Sequence, residues 1–151
     1  MPGFELFEFE KPVKVLEMYG IKRDEITDVI ITHPHHDHID ALYNYPKANI
    51  YLQKDALKSA EKYLHNTKQI STFDENKKIL DRIEIKHIVG HSVGSSIVLV
   101  NCVNDIYVFC GDECYTKDNL LKCKETGSSI SLPKSKCFVE EYRKVYSCTV
   151  S

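Results

Sequence analysis

The sequence predicts a single mixed α+β domain. Three observations carry this. Short β-branched or alternating runs at 28–32, 48–53, 83–89, 96–101 and 105–110 have the length and periodicity of strands. Segments with helical spacing or helix-boundary residues lie among them, near 12–19, 39–45, 56–65 and 134–147. At 151 residues and 42% hydrophobic content, the chain can bury a core without disulfide staples.

In chain order, Gly3 to Lys11 nearly alternates apolar and acidic residues, as a strand with one wet face does. Pro12 suits the first turn of a helix, where a missing N–H costs nothing. Val13, Leu16 and Met18 give that helix its apolar side, and Gly20 ends it. Lys22 to Glu25 is a polar turn. Asp28-Val29-Ile30-Ile31-Thr32 reads as a short buried strand that stops at His33-Pro34. A helix over Ile39–Tyr45 is closed by Pro46, because the residue before a proline avoids helical geometry. Ala48 to Gln53 is a strand. Asp55 is placed to cap a helix over Ala56–His65. Asn66 to Lys78 is polar and reads as loop or weak helix. Ile83 to Val89 alternates as a strand, and Gly90 to Gly94 is a glycine-bracketed loop. Ser96–Asn101 and Asp105–Cys110 are two strands joined by a polar turn. Lys134 to Ser147 reads as a last helix with Phe138, Tyr142 and Val145 on one side. No internal repeat or linker divides the chain, so residues 1–151 are expected to form one domain.

Twenty basic residues against 22 acidic ones leave a net charge of -2. That balance gives no basic excess for nucleic acid or an anionic membrane surface. No apolar run is long enough to span a bilayer. The first residues are acidic and mixed, unlike a secretory signal, so a cytoplasmic location is expected. The six cysteines include no C-x-x-C pair and are expected to be plain thiols in a reducing compartment. Cys110 and Cys114 flank a site described next.

His33-Pro34-His35-His36-Asp37-His38 packs four histidines and an aspartate into six positions. A β-branched strand feeds into this cluster and a helix leaves it, which gives the side chains a rigid base. Imidazole is the commonest nitrogen ligand for metals, and carboxylate suits hard or borderline cations. On an extended stretch, residues two apart point the same way, so His33 and His35 can converge on one ion. Asp37 and His38 sit where the chain turns and can face a second ion, with His36 pointing away. His91 follows at the end of another strand, between Gly90 and Ser92. Asp112 follows at the end of a third, after Gly111. A lone strand-end histidine or a lone Gly-Asp is ordinarily a packing residue or a turn. Three metal-type groups delivered by three strand ends make a site.

This set resembles the metallo-β-lactamase superfamily of hydrolases: His33-x-His35-x-Asp37-His38, His91 within Gly-His-Ser-x-Gly, and Gly111-Asp112. The resemblance runs from about Val15 to about Leu121. It implies a four-layer αββα sandwich with a two-metal site at one edge of the sheets. It further implies His33, His35 and His91 on the first metal, Asp37 and His38 on the second, and Asp112 bridging. The ions would be two divalent cations, zinc first, with manganese, iron or cobalt as alternatives. The stretch Asp112 to Asn119 is similar to the N-acyl-homoserine lactonase branch, in which a tyrosine three residues past the aspartate leans over the metals. Tyr115 stands at that position.

What the resemblance implies chemically is hydrolysis of a small-molecule lactone or ester by a hydroxide shared between two cations. Tyr115 would steady the oxyanion and Asp37 would relay a proton. The alternatives are a thioester hydrolase of the glyoxalase II type and a non-catalytic metal-binding relative. Superfamily members also carry strands with an Asp-rich turn ahead of the cluster and a last histidine after the bridging aspartate. Here 32 residues precede His33, and no histidine follows His91. The resemblance therefore implies an incomplete sandwich, missing N-terminal strands and a C-terminal strand and helix. Its second ion would be held by Asp37, His38 and Asp112 alone.

Overall fold

A computed structural model describes residues 10–67, 69–143 and 147–149. The strand expected over Gly3–Lys11 falls largely outside them. The first helix, α1 (Pro12–Met18), begins on its proline. It closes at Gly20, whose φ of 74° lets its N–H reach the Glu17 carbonyl while the Ile21 N–H reaches Leu16.

Strand β1 (Asp28–Ile30), strand β2 (Asn49–Gln53) and strand β3 (Gln69–Phe73) form a parallel sheet in that order. A second sheet holds β4 (Asn76–Leu80), β5 (Ile83–His87), β6 (Ser96–Asn101), β7 (Ile106–Phe109) and β8 (Ser147–Thr149). Its first four strands are antiparallel, and β8 lies parallel to β7. Each sheet carries helices on one face. Ile50 and Leu52 of β2 pack under Ile39, Leu42, Ala56, Ala60 and Leu64. Ile97 and Val108 of the second sheet pack under α4 (Lys117–Leu121) and α5 (Leu132–Tyr142), through Leu120, Phe138, Val139 and Tyr142. Ile85 and its partner Val98 are buried on the opposite face of that sheet. The Ser96 N–H donates to the Thr32 carbonyl at 2.8 Å, which ties the end of β1 to the start of β6.

Several expectations are corrected. Asn66 to Lys78 is no loop: it holds β3 and β4, joined by a tight bend at Asp74-Glu75. Both strands are mostly solvent-facing, so their polar composition hides them. In β4, Lys77 is half-buried and its ammonium lies over the Tyr51 ring. The helix expected over Ile39–Tyr45 starts earlier, as α2 (His36–Ile39), and tightens into a 3-10 turn over Asp40–Asn44. Asp55 is not an N-cap; the Gln53 side chain caps instead, accepting from the Asp55 N–H at 2.5 Å. The helix beyond it is short, α3 (Leu57–Ala60), between two 3-10 turns. The last helix begins on Leu132-Pro133 and ends at Tyr142, and the residues from Ser147 form β8. Val145 lies outside the described residues. The 117–121 helix was hidden by its polar first turn.

Candidate metal centre

Three strand ends meet at one edge of the two sheets. Past β1 the chain bends at Thr32 and is extended again at His35, whose φ and ψ are -71° and 151°. His33 and His35 emerge on the same side, with ring centroids 4.7 Å apart. The loop after β5 brings in His91, whose ring lies 4.8 Å from that of His33 and 4.7 Å from that of His35. The turn after β7 brings in Asp112. One ligand atom from each of His33, His35, His91 and Asp112 can be chosen so that all four lie within 4.8 Å of one another.

His38 completes the cluster from α2, its ring 4.1 Å from that of His33. The carboxylate of Asp112 lies between two groups of histidines. Its Oδ2 is 3.4 Å from His91 Nε2 and 3.7 Å from His33 Nε2, and its Oδ1 is 3.2 Å from His38 Nε2. Asp37 is the outlier. Its carboxylate is 3.6 Å from His38 Nε2, yet its side chain is 77% exposed. His36 points away, as its position suggested, and stacks on Tyr63 with Nδ1 3.1 Å from the hydroxyl. His87 braces the loop from outside the cluster, with Nε2 3.0 Å from the Val93 carbonyl.

The donor set fits a divalent cation. His33 is buried, and its Nε2 has no hydrogen-bond partner. Burial, reinforced by His38, His91 and His35, lowers the His33 pKa from 6.5 to about 3, so the ring is neutral at pH 7 with a lone pair to offer. The Nδ1 of His91 lies 2.6 Å from the Ser128 carbonyl, which can only accept, so Nδ1 carries the proton and Nε2 turns its lone pair inward. His91 Nε2 and His35 Nδ1 are 2.9 Å apart, so in the metal-free protein a proton on His35 Nδ1 is donated to the inward-facing His91 lone pair.

Tyr115 lies beside this cluster, its ring 6.4 Å from that of His91. Burial raises its pKa, as does the charge of Asp112, while a hydrogen bond with Ser128 opposes the shift. The hydroxyl is therefore protonated at neutral pH. Cys110 and Cys114 are buried in the core under α4 and α5. Cys114 donates to the Thr116 carbonyl at 3.1 Å. Two contributors were invisible in the sequence. The Ser128 carbonyl is a backbone group with no side-chain signature. Glu113 is a fully buried carboxylate next to Asp112, and only its place behind His91 reveals it.

The depressed His33 pKa has a sign that can be checked. Between about pH 6.5 and 3, the unfolded chain binds a proton at this residue and the folded chain does not. The metal-free protein should therefore lose stability as pH falls through that window, and this contribution should be constant above it. Urea midpoints from pH 7 to pH 4 test this, with a shallower fall expected in His33→Gln. Equal slopes in the two proteins would contradict it.

No family model matches the chain. Among curated proteins it is similar to a hydroxyacylglutathione hydrolase of Actinobacillus pleuropneumoniae serotype 5b, 24% identical over 108 residues. Those residues are 69% of this chain and 42% of the relative, so the chain spans less than half its length. Among solved structures, an N-acyl homoserine lactone hydrolase with N-hexanoyl-L-homoserine at its catalytic metal center aligns with a TM-score of 0.74 at 18% identity. The match covers 92% of this chain and 60% of that one. A Thermotoga maritima protein assigned to the metallo-β-lactamases aligns with a TM-score of 0.72 at 18% identity, over 91% of this chain and 72% of its own. The chain has the metallo-β-lactamase fold, spanning part of it. No helix among the described residues is long and apolar enough to cross a membrane.

Proposed function

We propose that the chain belongs to a metal-dependent hydrolase that opens lactones or esters. The observation that carries this reading is the Asp112 carboxylate, which turns one oxygen to His33 and His91 and the other to His38. That arrangement suits a bridge between two cations. His33, His35 and His91 would hold one, His38 and Asp37 the other, with zinc the first candidate and manganese, iron or cobalt compatible with the same donors. Such ions supply Lewis acidity at an acyl carbonyl and lower the pKa of water toward neutrality.

The protein's own groups do the rest. Tyr115 offers a protonated hydroxyl beside the cluster and would donate to the oxygen on which charge develops. Asp37 is exposed beside His38 and can take a proton from the attacking water and pass it to the leaving alkoxide. A cleft of about 420 Å³ adjoins His35 and His91, lined by Asp55, Ser59, Ser92, Val93, Ser128 and Ile130 among others. Among the described residues, its one charged lining group outside the histidines is a carboxylate, and no Lys or Arg lines it. A glutathione thioester is anionic and would gain nothing there. An uncharged lactone or ester, with its acyl part against Val93 and Ile130, is the better fit. Thioester hydrolysis remains the second reading, favoured by the hydroxyacylglutathione hydrolase relative.

The test is a panel of N-acyl lactone, S-acyl glutathione and phosphodiester, run with metal analysis on the same sample. About two metal equivalents and turnover of the lactone are expected. Preferred thioester turnover would favour the second reading. Bound metal without turnover of any substrate would leave a non-catalytic metal-binding protein. In Tyr115→Phe, kcat on the preferred substrate should fall about 10²-fold with metal content unchanged; an unchanged kcat would remove Tyr115 from the reaction.

A further inference from the structure

The geometry points to Glu113 as the positioning residue for His91, and through it for the metal affinity of the cluster. Only the second half of that statement rests on the metal-hydrolase reading.

Glu113 is fully buried and precedes the core residue Cys114 in the chain. A buried carboxylate is costly unless hydrogen bonds satisfy it. One oxygen of Glu113, Oε1, collects three: from the Gly90 N–H at 3.0 Å, from the His91 N–H at 2.8 Å, and from the Ser95 hydroxyl. All three donors lie in the loop that delivers His91. The Gly90 peptide is also held from its other side, where its carbonyl accepts from the N–H groups of Ile130 and Ser131 at 2.9 and 3.1 Å. The segment that supplies those groups also carries the Ser128 carbonyl that orients the His91 ring. It is tied back by Thr126 to the Asp112 carbonyl at 3.3 Å and by Ser129 to Ser135 at 2.5 Å. Asp112 and Glu113 are adjacent in the 3-10 turn Gly111–Glu113, yet their side chains diverge. Asp112 enters the cluster, while Glu113 reaches behind His91 and holds its backbone. One turn thus fixes the bridging carboxylate and the third histidine together. Such outer hydrogen bonds commonly change metal affinity by about 10–100-fold.

Two substitutions separate reach from charge. Glu113→Asp keeps the carboxylate but is one methylene too short. Glu113→Gln keeps the length and an accepting oxygen. Zinc affinity, measured by competition with a chromophoric chelator, should weaken about 10–100-fold in Glu113→Asp and stay within about threefold of wild type in Glu113→Gln. In the metal-free proteins, NMR should show a protected His91 Nδ1–H and slowly exchanging Gly90 and His91 amides in wild type and Glu113→Gln, and neither in Glu113→Asp. Unchanged zinc affinity in Glu113→Asp, or equal weakening in both variants, would overturn the assignment. If Glu113→Asp does not fold, the wild type decides: Gly90 and His91 amides exchanging as fast as exposed loops would refute the clamp. If the wild type binds no zinc, the hydrolase reading fails, and the NMR signals still decide the role of Glu113.

Discussion

Asp112→Ala should reduce hydrolysis on the order of 10³-fold and lower the metal content of the protein from about two equivalents to one or none. The reason is positional. The Asp112 side chain is only 15% exposed, and no other carboxylate among the described residues faces both histidine groups. Removing it takes away the negative charge that offsets two cations in a confined space and leaves only the neutral donors His33, His38 and His91 around them. Asp112→Asn is the sharper control. It fills the same volume, but it is neutral and replaces one oxygen with a donor nitrogen that cannot ligate. The check is metal analysis together with kcat/KM on the preferred substrate. Two equivalents retained in either variant would remove Asp112 from the bridging role.

Gly90→Ala should destabilise the protein by about 3 kcal/mol, a drop of roughly 6–12 °C in melting temperature for a chain of this size. A Cβ at position 90 would overlap the Glu113 carboxylate and lie 2.5 Å from the Ser135 hydroxyl. Neither neighbour can retreat cheaply. Glu113 is anchored by the Gly90 and His91 N–H groups themselves, and Ser135 is fully buried in α5. The added methyl must push the loop off its anchor, so weaker metal binding should accompany the lower melting temperature. Thermal unfolding of the metal-free proteins measures the first effect without the second. An unchanged melting temperature would mean that this close approach is not a constraint on the fold.

Much of this site was legible in the chain because its signals are local. His33 and His35 share a side through the two-residue repeat of extended backbone, and α2 then turns His36 away onto Tyr63. His91 and Asp112 stand out because each follows a strand and a glycine. The core strands β1, β2, β5, β6 and β7 were readable from β-branched or alternating runs. Strands β3 and β4 were not, because a strand with most side chains in water carries no hydrophobic period. The capping role of Gln53 was likewise unreadable: its side chain is fixed by the Asp74 carbonyl at 3.1 Å, 21 residues away.

The sequence by itself determined which side chains can ligate, which strand ends present them, and that the fold is a mixed α and β one. Only the tertiary structure decided how they act together. It set Asp112 between two groups of histidines, left Asp37 mostly in solvent, and placed Glu113 behind His91. Ligand identity and strand periodicity are properties of neighbouring residues along the chain. Bridging and clamping depend on distances between segments far apart in the chain, which exist only once the two sheets come together, as at the Thr32–Ser96 hydrogen bond.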